Sequence, residues 1–380
     1  MIIRKTLKTL LSLSLLAAMS VQAQEAVSPL DTMLPNDLLA RARQEGKVTV
    51  YSLSKRIDKV EKAFETAYPG IDLEGVYLKS DKQIARLKEE AQAGRIGADV
   101  VYLANAAQAI TDLLETGIIE SYVPPRVASR IDEENKTPLL AHRLSTKVLM
   151  YNEEAHPLLA PVDNIWELTL PKWRGKVVIV DPLKRADYID LFTEFVLRSD
   201  VMDSAYRAQF RRKLDLGEAR NAGERFIMDL YANGLVLLNS TDEVNAAVGK
   251  LGQMDPPVGF TSYSDRRDNE KEGWALQVSN GTTPSAGISY PTILALTKDT
   301  KHPAAARLFI DFIMGDETEL GGEAYAPFYA PGEYAARNDI PTHPDSMPLP
   351  NLGAWATDPV KTAKARGRVE ELVRELQQNR

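Results

Sequence analysis

The stretch that decides the fold, residues 47–105, begins Lys47-Val48-Thr49-Val50-Tyr51-Ser52-Leu53-Ser54-Lys55-Arg56 and reads strand–helix–strand–helix–strand. The first strand, 48–51, leads into Ser52, Ser54, Lys55 and Arg56. The second, Ile71-Asp72-Leu73-Glu74-Gly75-Val76-Tyr77, leads into Lys79, Ser80, Asp81, Lys82 and Gln83. The third, Ala98-Asp99-Val100-Val101-Tyr102, leads into Asn105. Between them Ile57, Val60, Phe64 and Ala67 fall at helical spacing until Pro69-Gly70 stops the run, and Ile84, Leu87 and Ala91 stripe a second helix. Strands alternating with amphipathic helices predict a parallel sheet covered on both faces. Ligands of such sheets sit beyond the carboxyl ends of the strands. The three loops therefore nominate one wall of a binding site.

Outward from this stretch, a helix over 106–116 ends at Gly117. Residues 139–151 break the alternation. Leu144-Ser145-Thr146-Lys147-Val148-Leu149-Met150-Tyr151 reads as a strand crossing to a second lobe. That lobe starts its own series with a buried strand, 176–180, and the loop Asp181-Pro182-Leu183-Lys184-Arg185. Helices over 187–198, 202–214 and 222–232 precede a strand, 235–238, that ends in Asn239-Ser240-Thr241-Asp242. Extended segments follow at 258–263, 274–278 and 287–296, the last crossing back, and then a helix over 304–314. Asp265, Asp268, Glu270 and Glu272 are too irregular for a calcium loop and read as a solvated acidic loop. Pro327, Pro331, Pro341, Pro344, Pro348 and Pro350 predict a segment wrapped on a surface. The final helix, 360–378, is mostly charged and is expected to fray in part. The expected division is a leader (1–23), a first lobe (24–143), a second lobe (144–280), a return crossover with a packing helix (281–318) and a C-terminal wrap and helix (319–380). A chain of 380 residues exceeds what one core usually organises.

Arg4, Lys5 and Lys8 precede an apolar run from Leu10 to Met19, and Val21-Gln22-Ala23 supplies a small-residue site. That order predicts a secretory signal cleaved after Ala23. The run is well short of the roughly 20 residues of a spanning helix, so a membrane anchor is the weaker reading. The chain has no cysteine, which leaves neither a disulfide framework nor a lipid attachment point. A periplasmic protein fits best, with secretion to the medium as the alternative. The formal net charge of −7 becomes about −10 once three basic residues leave with the signal, which argues against nucleic acid or an anionic membrane as partner.

No catalytic constellation emerges. The four histidines, His142, His156, His302 and His343, lack zinc-ligand spacing. There is no Gly-x-Ser-x-Gly elbow, phosphate loop or dinucleotide fingerprint. We expect no enzyme, no cofactor and no metal site.

With its strand loops placed, the chain resembles the periplasmic solute-binding proteins of ABC importers, and within them the ferric-ion-binding branch, whose relatives also bind phosphorylated or phosphonate solutes. Several ordered segments carry the resemblance: Gly97-Ala98-Asp99-Val100-Val101-Tyr102, Leu114-Glu115-Thr116-Gly117, Pro171-Lys172-Trp173-Arg174-Gly175-Lys176 and Pro303-Ala304-Ala305-Ala306-Arg307-Leu308-Phe309 among them. It implies a type 2 periplasmic-binding fold: two α/β lobes, each a mostly parallel sheet covered by helices, joined by two crossover strands. It also implies hinge closure on a ligand, docking on an inner-membrane permease, and a monomer with no membrane insertion. Three departures from the iron-binding pattern matter. Lys55 stands where iron binders place a histidine. Lys82, followed by a retained Gln83, stands where they place a glutamate. Ser240, Thr241 and Asp242 stand where they carry adjacent tyrosines. Ferric iron needs anionic oxygens, and an ammonium cannot coordinate it.

Lys55 and Lys82 from the first lobe and Lys184 and Arg185 from the second are thus the candidate cations for a phosphorylated, phosphonate or polycarboxylate solute. Ser52, Ser54, Ser80, Gln83, Asn105, Asn239 and Thr241 are candidate neutral partners. Asp181 and Asp242 either orient the cations or bind a ligand amine or hydroxyl. Tyr290 on the return crossover faces the cleft or packs the hinge. Three alternatives stand beside the anionic reading: a polyamine held by Asp181, Asp242 and Asp99; a ferric ion or metal chelate; and a sensor subunit of a membrane kinase.

Overall fold

The computed structural model describes residues 28–379, so the leader and its cleavage after Ala23 lie outside the described residues. Among the described residues twelve strands form one sheet: β1 (Lys47–Ser52), β2 (Asp72–Tyr77), β3 (Val100–Leu103), β4 (Ile119–Glu120), β5 (Leu140–Asn152), β6 (Val177–Val180), β7 (Val236–Leu238), β8 (Val258–Thr261), β9 (Leu276–Val278), β10 (Gly287–Thr297), β11 (Tyr334–Ala335) and β12 (Ala354–Ala356). The main order is β2-β1-β3-β10-β5-β8-β6-β7. At one end β2, β1 and β3 are parallel, and at the other β7, β6 and β8 are parallel. The long strands β5 and β10 run antiparallel to each other between them. This is the α/β, two-lobed architecture expected, with the 139–151 and 287–296 segments as its crossovers.

The period of two explains why both faces of the first lobe are buried. Val48, Val50, Val100 and Tyr102 pack into one apolar cluster with the helices Ile57–Ala67 and Pro303–Ile313. Tyr51, Val101 and Leu103 point the other way, into a cluster with Ile84, Leu87 and Leu113. The second lobe gathers Val177–Val180, Phe192, Phe195, Phe226 and Phe260 around Trp166. The first lobe's core also holds His142, whose surroundings fix its tautomer. Nε2–H donates to the Ile313 carbonyl at 3.0 Å, so Nδ1 accepts from the Tyr102 hydroxyl at 2.9 Å.

Several boundaries differ from expectation, and two of them move candidate residues. Ser80 opens a helix, Ser80–Gln92, ahead of the apolar stripe that betrays it. Thr241 and Asp242 are in the first turn of the helix Thr241–Gly249, capped by the Ser240 hydroxyl on the Glu243 N–H. The expected helix over 106–116 is α-helical only for Ala106–Ala109 and continues as the π-helical turn Ile110–Leu114. The helix expected over 202–214 is Ser199–Phe210, ended by Arg211 at φ 54°. The acidic loop at 265–272 is not wholly solvated, because Asp265 accepts from Asn245 Nδ2 and Thr261 Oγ1. The C-terminal helix Pro359–Gln378 is not frayed. Asp358 caps it, Val369, Leu372 and Val373 join the second-lobe core, and Val360 and Ala363 pack against the first. An apolar stripe at i, i+3, i+4 therefore anchors a helix whose charge count suggested otherwise.

Gly287 marks where the crossovers press together. Its φ is +151°, and a Cβ there would lie 2.0 Å from the Lys147 carbonyl oxygen. Gly287→Ala should therefore destabilise the fold by roughly 3 kcal/mol, the upper end of overpacking effects, in denaturant unfolding. A loss below about 1 kcal/mol would mean the strands are not in contact as described. Burial, reinforced by the Arg143 charge, pushes His142 down to about 3 from its ordinary 6.5. The unfolded chain thus binds a proton that the folded one refuses, and stability falls as pH drops from 6.5 towards 3. Between pH 6 and 4 the native protein should lose about 1.4 kcal/mol per pH unit more than His142→Gln. Parallel stability curves for the two would contradict a buried neutral imidazole.

Candidate functional site

Strand β5 presents Arg143, Ser145 and Lys147 at alternate positions, so all three lie on one face of the strand. On β10, Tyr290 pairs in register with Ser145. Lys147 has no exposed surface, and its Nζ lies 3.0 Å from Asp187 Oδ2 and 4.4 Å from the Tyr188 ring centroid. Asp187 stands in the first turn of the helix Ala186–Leu197. Arg185, just before that helix, returns two bonds to the same carboxylate, Nε at 3.3 Å and Nη2 at 2.8 Å, and gives Nη1 to Thr241 Oγ1 at 3.2 Å. Burial alone would raise Asp187, but Arg185 and Lys147 outweigh it and hold the carboxyl well below its usual range. Burial lowers Lys147, with Asp187 opposing. One carboxylate here faces two cations.

A second ionic centre lies nearer the first lobe. Glu333 is buried and takes Arg56 Nη1 at 3.1 Å, Arg267 Nη1 at 3.2 Å and Arg143 Nη1 in a very short contact. Arg143 also donates Nε to the Tyr102 hydroxyl at 2.8 Å and Nη1 to Ser145 Oγ at 3.0 Å. Burial would raise Glu333, yet the three guanidinium groups lower it. Here one carboxylate faces three cations.

Between these centres is a cavity of about 320 Å³, lined from both lobes and from the crossovers. Of the residues nominated from sequence, Ser80, Asn105, Lys184, Arg185 and Tyr290 line it. Ser80 Oγ accepts the Ala104 N–H at 3.0 Å, and Lys184 Nζ donates to Asn239 Oδ1 at 3.1 Å. Tyr290, nearly buried on β10, lines the cavity with its hydroxyl 3.4 Å from Asp187 Oδ2.

The other nominated residues are elsewhere. Lys82 is two residues beyond Ser80 on a helix, hence about 200° round it, and is exposed. Gln83 is fully buried as a latch, Nε2 bonding the Leu78 and Tyr102 carbonyls. Lys55 sits outside, 5.5 Å from the Tyr77 ring centroid. Ser52 and Ser54 close their own turn, Ser52 Oγ taking the Ser54 N–H and Ser54 Oγ the Arg56 N–H. Asp181 stands 3.8 Å from Lys184 Nζ, as an orienting partner of that cation would, while it caps the turn Pro182–Lys184 through the Leu183 N–H and receives Gln377 Nε2 at 2.9 Å. Asn239 and Thr241 hold Lys184 and Arg185 from behind, and Asp242 is exposed on its helix.

Sequence reasoning missed Arg143, Lys147, Asp187, Arg267 and Glu333. The polar alternation Arg143, Ser145, Lys147 inside an apolar strand was the readable signal for the first two. A larger hollow, about 830 Å³, lies on the outer face of the first lobe. Its arginine, Arg126, is already committed to Asp311 and the Gly315 carbonyl. The smaller cleft, with its surplus of cations, is the better candidate. Among the described residues no three His, Cys, Asp or Glu side chains converge as a metal site, and no helix is long and apolar enough to cross a membrane.

The profile of the family described as bacterial extracellular solute-binding protein matches residues 48–319. No curated protein sequence matches the chain. Among solved structures, iron-bound HitA from Pseudomonas aeruginosa superposes with a TM-score of 0.68 at 17% identity, covering 87% of this chain and 99% of that one. The Trichodesmium protein IdiA (FutA), in complex with iron and citrate, gives 0.62 at 15% identity, with 87% and 99% covered. AfuA from Actinobacillus pleuropneumoniae, with fructose 6-phosphate bound, gives 0.61 at 16% identity, with 87% and 97% covered. At these identities the likeness is one of fold, and it agrees with the two-lobed sheet described above. On the span of its profile match, the chain belongs to the family of bacterial extracellular solute-binding proteins.

Proposed function

We propose that this protein is the periplasmic capture component of an ABC import system and that its solute is a small organic anion. The observation that carries the reading is the charge of the cleft: Lys79, Arg143, Lys184, Arg185 and Arg267 line the cavity against the carboxylates Asp81, Asp187 and Glu333, and Lys147 stands buried behind Asp187. A chain of net charge −7 has concentrated positive charge at one place. Solute phosphate, phosphonate or carboxylate oxygens would neutralise the surplus, each well-made charge-assisted bond contributing about 1.5–3 kcal/mol. Ser80, Asn105 and Ser145 would then orient the uncharged part.

Closure follows from where the groups reside. Ser80 and Asn105 belong to the first lobe, Lys184 and Arg185 to the second. A solute bridging them binds the closed state better than the open one, and only such a difference shifts the equilibrium. The closed form would present both lobes to a membrane permease. The cited relatives are compatible, since citrate and fructose 6-phosphate both bring anionic oxygens. A polyamine is disfavoured by the same surplus. Asp99, moreover, is engaged with the Thr49 N–H, Thr300 and His302.

A thermal-shift panel of citrate, fructose 6-phosphate, phosphonoacetate, spermidine and a ferric salt tests this. An organic anion at about 100 times its dissociation constant should add roughly 2.7 kcal/mol of stability. A response to spermidine or ferric ion alone would overturn the reading. Arg185→Ala leaves Asp187 paired with Lys147 and should fold. Its affinity for the responding anion should fall by about 1.5–3 kcal/mol in isothermal titration. Undiminished affinity would remove Arg185 from the site.

A further inference from the structure

Glu333 lies beyond the 48–319 segment that matches the family, on the C-terminal wrap, yet its carboxylate stands in the cleft. The main chain around it is held closely. Residues Tyr334 and Ala335 form β11 and pair with Leu144 and Arg143 on the crossover. Gly332, at φ +78°, passes so near the loop carrying Arg267 that a Cβ would lie 2.3 Å from Ser264 Cα. Its N–H is tied to Ser346 Oγ at 2.7 Å. The wrap thus inserts a carboxylate at one fixed place. There it receives guanidinium groups from the first lobe (Arg56), the crossover (Arg143) and the second lobe (Arg267). Convergence of arginines from three elements on one buried carboxylate is the arrangement an anionic ligand group would otherwise receive.

We propose that Glu333 is a resident anion of the ligand cleft: it fills the Arg56–Arg143–Arg267 centre and leaves the Arg185–Lys184 end to the solute's own negative group. It is a specificity determinant in consequence. A solute with one anionic head and an uncharged tail fits, the head toward Arg185 and the tail toward Glu333. A solute anionic at both ends brings its second charge to guanidinium donors already engaged by Glu333. The inference rests on the anionic reading of the cleft, but its test does not need the natural solute.

In Glu333→Ala the three guanidinium groups surround a vacated carboxylate position, and sodium formate has the size and charge to occupy it. Formate should bind this variant at least tenfold more tightly than the native protein in isothermal titration and should raise its melting temperature selectively. An equal formate response in both proteins overturns the proposal. Should the alanine variant fail to fold, Glu333→Gln keeps the shape and removes the charge. Inorganic phosphate should then bind about tenfold more tightly than to the native protein, and unchanged phosphate affinity overturns the proposal. The two readings fail separately. A native protein that ignores the organic anions while Glu333→Ala takes up formate refutes the anionic solute and keeps the arginine centre.

Discussion

A lysine with no exposed surface stands in the strand that joins the two lobes, and a buried ammonium persists only beside a compensating charge. Lys147 finds it in Asp187, 3.0 Å away. That demand places the helix Ala186–Leu197 over the crossover, and the helix brings Lys184, Arg185 and the turn before it to the cleft. Four residues earlier on the same face, Arg143 makes an equivalent demand and draws Glu333 from the C-terminal wrap. The cleft is therefore organised by two carboxylates answering two cations on one strand, and the lobes are aligned as a result.

The compensation at both centres is incomplete. Asp187 serves two cations and Glu333 three. Buried ion clusters contribute little to stability on their own, because desolvation offsets the Coulombic gain. At the Asp187 end the unevenness is better understood as preparation for a ligand, since each anionic oxygen added there meets donors already oriented, whereas Glu333 itself occupies the arginine centre. Thr241 and Asn239 do that orienting, holding Arg185 and Lys184 through neutral hydrogen bonds.

The lobes were legible because buried parallel strands and amphipathic helices have different periods, and the burial of β1 and β3 followed theirs. Tyr51 pointing away from Val48 and Val50 is one instance. The lining of the candidate cleft was legible where a residue's position on a strand end suffices, as for Asn105, Lys184 and Arg185. It was not where a helix begins unannounced. Once Ser80 starts a helix, Lys82 and Gln83 diverge, one to solvent and one to the core. Ser240 and Glu243, spaced as a cap and its third residue, did carry a readable signal that Thr241 and Asp242 are helical. Glu333 carried none, because its partners lie as far as 277 residues away in the chain and only tertiary packing unites them. The Arg143, Ser145, Lys147 alternation stands between these extremes, local in sequence but meaningful only once its strand is known to line a cleft.

The most direct test of an anion-capturing cleft is the charge of what the cleft holds. Mass spectrometry of the small molecule released on denaturing protein isolated from its own cells reads that charge without a guess at the ligand. The account predicts an organic solute bearing phosphate, phosphonate or carboxylate. Release of a polyamine, an uncharged sugar or ferric ion alone would contradict it.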